Sequence, residues 1–449
     1  MKRVSPRWLP IVPFLLALLV TLLGCGQKAG SPTKTAGSGQ RTEIVFWHSY
    51  VSYTEPALKR LVARFEKEHP DLKLRPQYVQ TGDVMLQKLT TAIATNTLPD
   101  CCWVRTNWIP ELVHAGAIID VDELAAQYGG LTPADRADFF PSLMSTASYR
   151  GKLRGLPIQA TCMTLGANPD LLRSVGLDPT KPPKDWNELV EYAKKLVVRG
   201  PKQTDRWGFF IPVFTGQLAN YGVWQFDIFL WGWGGQYVAS GGERVAFNSP
   251  SGVQALQYWA DLQYRYQVGT MTAPEMGFES GKVAMELVGC WDIPHLQTLS
   301  FKPVLWPMPT GPARRVFPVD GEYLVVFRKG NHPKEAWEFA RWFTLPEIQE
   351  QWSAEAKYLP VRRSTLKRPS YQEYLKTDYM VKAFADQMDY ATSEPIPFRN
   401  GTAIDLLLAD AIEKAVRSKA DPKQVLDAAA EKANRLLATA RAKEAAGGR

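Results

Sequence analysis

The chain has 449 residues, too many for one compact core, so two lobes or domains are expected. Hydrophobic residues make up 45% and charged residues 22%, a globular balance that excludes a disordered chain and a multi-span membrane protein. The net charge of +8 comes without a dense basic tract, which excludes the footprint of a nucleic-acid binder.

In chain order, the first elements are those of export. Lys2, Arg3 and Arg7 precede an apolar run at 9–23 that contains Pro10 and Pro13, and Leu22-Leu23-Gly24 leads to Cys25. A charged start, a short apolar stretch and small residues at the cut predict a signal peptide over residues 1–24. The two prolines and the short run argue against an uncleaved membrane helix. Leu-Leu-Gly-Cys resembles the lipobox of bacterial lipoproteins. That resemblance implies that Cys25 becomes the lipid-bearing N-terminus and anchors the protein to the membrane from outside the cytoplasm. Residues 25–40 contain no large apolar side chain and read as a flexible tether.

Beyond the tether, residues 43–48 (EIVFWH) form an apolar run fit for a buried strand. Residues 55–68 place Leu58, Leu61, Val62 and Phe65 at helical spacing, and His69-Pro70 stops that helix. Strands are expected at 73–79 and 101–104, and helices at 84–94, 110–115 and 121–127. This alternation predicts an α/β architecture with a parallel sheet. Residues 151–159 (GKLRGLPIQ) break the pattern. A second series follows: helix 186–198, strand 207–211, helix 254–267, strands 283–287 and 322–327, and helix 334–344. Residues 402–446 read as two helices split near Ala420-Asp421-Pro422.

Catalytic signatures are absent. There are five histidines but no H-E-x-x-H, no G-x-S-x-G and no phosphate loop, so no enzyme activity, metal or cofactor is expected. Cys101, Cys102, Cys162 and Cys290 lack zinc spacing and read as small buried apolar residues. One bridge, Cys162–Cys290 or Cys101–Cys162, stays open in an oxidising compartment.

Several strings carry a resemblance. Phe46-Trp47-His48-Ser49-Tyr50 follows the first strand, Leu98-Pro99-Asp100 precedes the third, and Pro183-Lys184-Asp185-Trp186 opens a helix. Phe247-Asn248-Ser249-Pro250 opens another. Phe278-Glu279-Ser280-Gly281-Lys282-Val283 leads to Gly289-Cys290-Trp291, and Asn331-His332-Pro333-Lys334 opens a further helix before Tyr358-Leu359-Pro360. In this order and spacing, from about residue 43 to 437, they resemble the family 1 extracellular solute-binding proteins of ABC importers, which include maltose- and glycerol-3-phosphate-binding proteins. The resemblance implies a two-lobe periplasmic-binding-protein-like fold, with crossing strands as hinge and the ligand in the cleft between lobes. It implies crossings near 156–159 and 317–321. Lobe one is expected from 41–157 with 317–350, and lobe two from 158–316 with 351–449. The implied partners are a saccharide or polyol and the permease subunits of an importer, met by a monomer.

A sugar offers hydroxyls around apolar ring faces, so its site needs flat aromatic surfaces and short polar groups. Placed on the family's fold, Trp47, His48, Ser49 and Tyr50 follow the first strand, and Trp103, Arg105 and Asn107 lie around the end of the third. Gln159 and Thr161 lie at one crossing and Asp320, Gly321 and Glu322 at the other. Trp224, Trp231 and Trp233 lie in a glycine-spaced aromatic stretch, where the spacing of seven lets one helix face carry the first two. Trp291 matches a position where an aromatic stacks on sugar, and Tyr358 and Arg399 come from the C-terminal part. Relatives that bind glycerol-3-phosphate resemble residues 395–401 (PIPFRNG) and carry an Arg shortly after the glycine; here Thr402, Ala403 and Ile404 follow. That departure favours a neutral saccharide over a phosphorylated ligand. A lipid-anchored carbohydrate-active enzyme is the alternative from another class.

Overall fold

The computed structural model describes residues 41–272, 276–394 and 400–447. The expected signal peptide, Cys25 and the tether lie outside the described residues, as does Arg399. The chain enters through β1 (Thr42–His48), turns into α1 (Glu55–Glu68) and returns through β2 (Leu72–Tyr78), parallel to β1 with Ile44 opposite Leu74. Leu58, Leu61 and Phe65 bury one face of α1, worth about 1.5–3 kcal/mol each in apolar surface removed from water. The next helix, α2 (Asp83–Thr95), ends at Asn96 in left-handed backbone, φ 56°. It leads to β3 (Cys101–Arg105), which takes the other edge of β1. Parallel neighbours joined through helices are the crossover unit that the alternation predicts.

Residues 156–159, where the resemblance implies a crossing, open β4 (Leu156–Ala167), which periodicity alone does not reveal. Its sequence reads as a break, yet all 12 residues are buried. A strand covered on both faces shows no polar alternation, so periodicity cannot reveal it. Beyond it come α3 (Trp186–Leu196), β5 (Thr204–Phe210), α4 (Ala219–Gly232), α5 (Pro250–Tyr264), β6 (Val283–Gly289) and β7 (Val304–Trp306). Then β8 (Phe317–Val326) returns to the first half of the fold, followed by α6 (Pro333–Phe343) and α7 (Pro346–Ala356). The chain closes with α8 (Gly401–Ser418) and α9 (Pro422–Gly447), split by Lys419 in left-handed backbone and by Pro422.

The strands form one sheet in the order β2-β1-β3-β8-β4-β6-β5. Two of them change partners along their length. Residues 156–162 of β4 pair antiparallel with β8, while residues 163–167 pair with β6 and residues 165–167 with β7. The far half of β8, from Glu322, pairs with β3. These strands cross between two hydrophobic cores. The first gathers Phe46, Phe65, Trp103, Trp337 and Trp352; the second gathers Trp186, Phe226, Trp259, Ile412 and Leu426. The result is a two-lobe α/β fold of the periplasmic-binding type.

One expected boundary does not follow the packing. Trp352, Tyr358, Tyr371 and Phe384 belong to the first core, although the resemblance implies 351–449 in lobe two. The reason is Trp352, whose ring centroid lies 5.0 Å from that of Tyr50 and 5.3 Å from that of Phe343. Its indole Nε1 donates to Gln159 Oε1 at 2.8 Å, which holds α7 against β4. Cys101, Cys102, Cys162 and Cys290 are buried free thiols, so neither bridge left open by the spacing is formed. No helix among the described residues is long and apolar enough to cross a membrane.

Candidate ligand-binding cleft

The C-terminal ends of β1, β3 and β6, the crossing strands and one stripe of α4 surround a cavity of about 350 Å3. That volume suits a small molecule, and the mouths of open α/β sheets lie at these strand ends.

The first wall and the hinge are tied together by carboxylates. Trp103 Nε1 donates to Glu322 Oε2 at 2.7 Å, and the Gln159 amide donates to the same oxygen. Burial pushes the Glu322 carboxyl up to about 7, against the pull of Arg105 and these donors. The Thr106 hydroxyl donates to Asp320 Oδ1 at 2.7 Å, and Thr161 Oγ1 donates to the Asp320 carbonyl at 3.2 Å. Burial raises Asp320 as well. The Arg105 guanidinium lies 5.7 Å from the Trp103 ring centroid and is the one cation among the described lining residues.

The second wall is aromatic and acidic. Trp224, Asp227 and Trp231 recur three and four apart along α4, so one helix face presents all three. The Trp224 and Trp291 centroids lie 6.1 Å apart at 32°, and Tyr221 meets Trp291 at 6.0 Å and 66°. Asp292, beside Trp291, is pushed up to about 6 by burial. Glu394 accepts from Trp231 Nε1 at 2.9 Å and from the Tyr237 and Val238 backbone N–H groups at 3.0 and 2.9 Å. Asp405 accepts from the Tyr237 hydroxyl at 2.7 Å and from Asn107 Nδ2 at 3.4 Å. Asp227 is held well above the usual carboxylate range by burial and by the charges of Glu394 and Asp405.

Of the side chains expected here, Ser49, Trp103, Arg105, Asn107, Thr161, Trp224, Trp231, Trp291, Asp320, Gly321, Glu322 and Tyr358 line the cavity. Trp47, His48, Tyr50, Gln159 and Trp233 do not. Trp47 donates from Nε1 to Gln77 Oε1 at 2.9 Å, under the Lys88 ammonium 4.0 Å from its ring. His48 stacks on Tyr50 at 5.2 Å, and burial lowers its pKa to about 4, leaving a neutral packing residue. Tyr50 packs on Trp352, and Gln159 is fully buried between Glu322 and Trp352. Trp233 lies past the end of α4 with its ring 6.2 Å from Trp186. Thr81, Tyr221, Asp227, Tyr237, Asp292, Glu394 and Asp405 line the cavity without having been singled out. Asp227 alone carried a signal: it continues the Trp224–Trp231 stripe once that segment is read as a helix.

The family model of bacterial extracellular solute-binding proteins matches residues 51–350. The sn-glycerol-3-phosphate-binding periplasmic protein UgpB of Escherichia coli K12 is 25% identical over 419 residues, covering 88% of this chain and 92% of that protein. Among solved structures, the cyclic alpha-maltosyl-1,6-maltose binding protein of Arthrobacter globiformis superposes with a TM-score of 0.77 at 25% identity, over 89% of this chain and 99% of that one. UgpB of Mycobacterium tuberculosis, in complex with glycerophosphocholine, has a TM-score of 0.78 at 20% identity, over 89% and 99%. With crossing strands, two cores and the cavity between them, this chain belongs to the bacterial extracellular solute-binding proteins, the family 1 solute-binding components of ABC importers.

Proposed function

We propose that the cleft captures a neutral saccharide or polyol and that lobe closure hands it to the permease of an ABC importer. The observation that carries this reading is the chemistry of the lining. Trp224 and Trp291, partly exposed, offer apolar ring surface beside the buried Trp103 and Trp231, and Asp227, Asp292, Asp320, Glu322, Glu394 and Asp405 offer hydroxyl acceptors. A phosphate would meet those six carboxyl groups with Arg105 as its counter-charge among the described lining residues. Closure moves residues 41–157 and 317–388 against 158–316 and 401–447, with β4 and β8 as hinge. The ligand stabilises the closed form by touching both walls. The mature chain works as a monomer without turnover, outside the cytoplasm, held by a lipid on Cys25.

A glycerophosphodiester or sugar phosphate is the second reading, favoured by what the UgpB relatives bind by name. A thermal-shift panel of neutral sugars, polyols and phosphate esters separates the two. Ligand at a hundred times its Kd adds about 2.7 kcal/mol, a visible rise in Tm. A rise with a neutral sugar that stays intact on incubation supports the reading. A rise confined to phosphate esters, or consumption of the sugar, overturns it.

A further inference from the structure

Among the described residues, two buried polar atoms on the cavity wall have no hydrogen-bond partner: Thr81 Oγ1, in the turn after β2, and Asp227 Oδ1 on α4. Asp227 is only 8% exposed. Native proteins leave few buried polar atoms unsatisfied, and one on a cavity wall calls for an explanation. Thr81 and Asp227 stand on opposite walls, and those walls meet at the rim beside Thr81. Gly82 is in left-handed backbone at φ +77°, and a Cβ there would lie 2.9 Å from the Gln217 carbonyl oxygen.

We propose that Asp227 is a specificity-determining ligand residue, whose Oδ1 accepts a hydroxyl of a polyhydroxylated ligand that reaches the Thr81 hydroxyl from the opposite wall. The inference rests on the saccharide reading and names its acceptor. Trp224 and Trp231, three residues before and four after Asp227 on the same face, supply the apolar surfaces on either side. A ligand satisfying both atoms binds the closed form better than the open one, which is what ligand-driven closure requires. Burial and the charges of Glu394 and Asp405 raise the Asp227 carboxyl well above the usual carboxylate range, which favours a neutral hydroxyl partner there. An anion at this end would face Glu394 and Asp405.

The test uses the mature chain with maltose, maltotriose and D-tagatose as probes, in wild type, Asp227→Ala and Asp227→Asn. Calorimetric titration reads affinity, and melting of the empty proteins reads the structural role. Asp227→Ala is expected to bind the recognised sugar about 10- to 100-fold more weakly. Asp227→Asn, the neutral isostere, should stay within about fivefold of wild type, since it keeps an acceptor oxygen. Both empty variants should melt within about 2 °C of wild type, because no partner is lost. Equal sugar affinity in Asp227→Ala overturns the proposal, and so does a Tm loss of many degrees in both empty variants. Loss of binding in Asp227→Asn equal to that in Asp227→Ala would show that an acceptor oxygen at this position does not suffice, and would also overturn it. Failure of unmodified protein to bind any neutral sugar or polyol, with a Tm rise confined to phosphate esters, is a separate result: it removes the saccharide reading, and this inference with it.

Discussion

Gly289 shows how a single position shapes the site. A Cβ there would lie 2.3 Å from the Trp291 ring, so glycine is what lets the indole fold back over the end of β6. Trp291→Ala should weaken sugar binding by about tenfold or more, with Trp291→Phe in between, as titration calorimetry would read. Glu322 makes a different prediction. Its pKa rises on folding from 4.5 to about 7. The folded chain then holds that proton more tightly than the unfolded chain, so the group's contribution is intact below pH 4.5 and is lost as pH rises through about 7. The loss is up to about 3 kcal/mol. Asp292, raised to about 6, acts in the same direction. Glu322→Gln should therefore gain stability relative to wild type between pH 5 and pH 8 in thermal melts; a constant difference across that range would contradict the assignment. Upstream of the fold, Cys25→Ser should release the mature protein from membrane fractions, which fractionation and blotting would show.

Among the elements, those with one buried face were legible. Leu58, Leu61 and Phe65 announce α1, and the apolar run at 43–48 announces β1. Elements buried all round were legible only where a short apolar run marked them, as at β3 and β6. In α4, eleven of 14 residues are buried, so no amphipathic stripe marks it as a helix, and β4 has no exposed face to alternate. The same physics explains the site. Residues at or just past strand ends, such as Ser49, Arg105 and Trp291, were readable by position as cavity lining. Asp227 was hidden by the unread helix, and Glu394 and Asp405 by the distance in sequence that packing alone closes. Trp352→Ala tests the reassigned segment: it empties a fully packed site and removes the donor to Gln159, so it should cost about 3–5 kcal/mol in denaturant unfolding. Gly82→Ala tests the rim. It adds strain of about 1–2 kcal/mol at positive φ and a contact with Gln217, and should weaken sugar affinity more than it lowers the Tm of the empty protein.

Across the whole molecule, two cores are joined by two crossing strands, with a cavity between them that Thr81 and Asp227 both line. Alternation in the sequence pointed to an α/β sheet, and the ordered strings pointed to the family. The partition of the C-terminal third could not be read that way, because Trp352 and Tyr358 pack on the first core while α8 and α9 pack on the second. The measurement that tests the central claim most directly is tryptophan emission during titration, since four indoles line the cavity. A saturable change with a neutral saccharide, reduced in Trp291→Phe and absent with glycerol 3-phosphate, is the predicted result. Saturation with glycerol 3-phosphate or glycerophosphocholine and none with any neutral saccharide would contradict it.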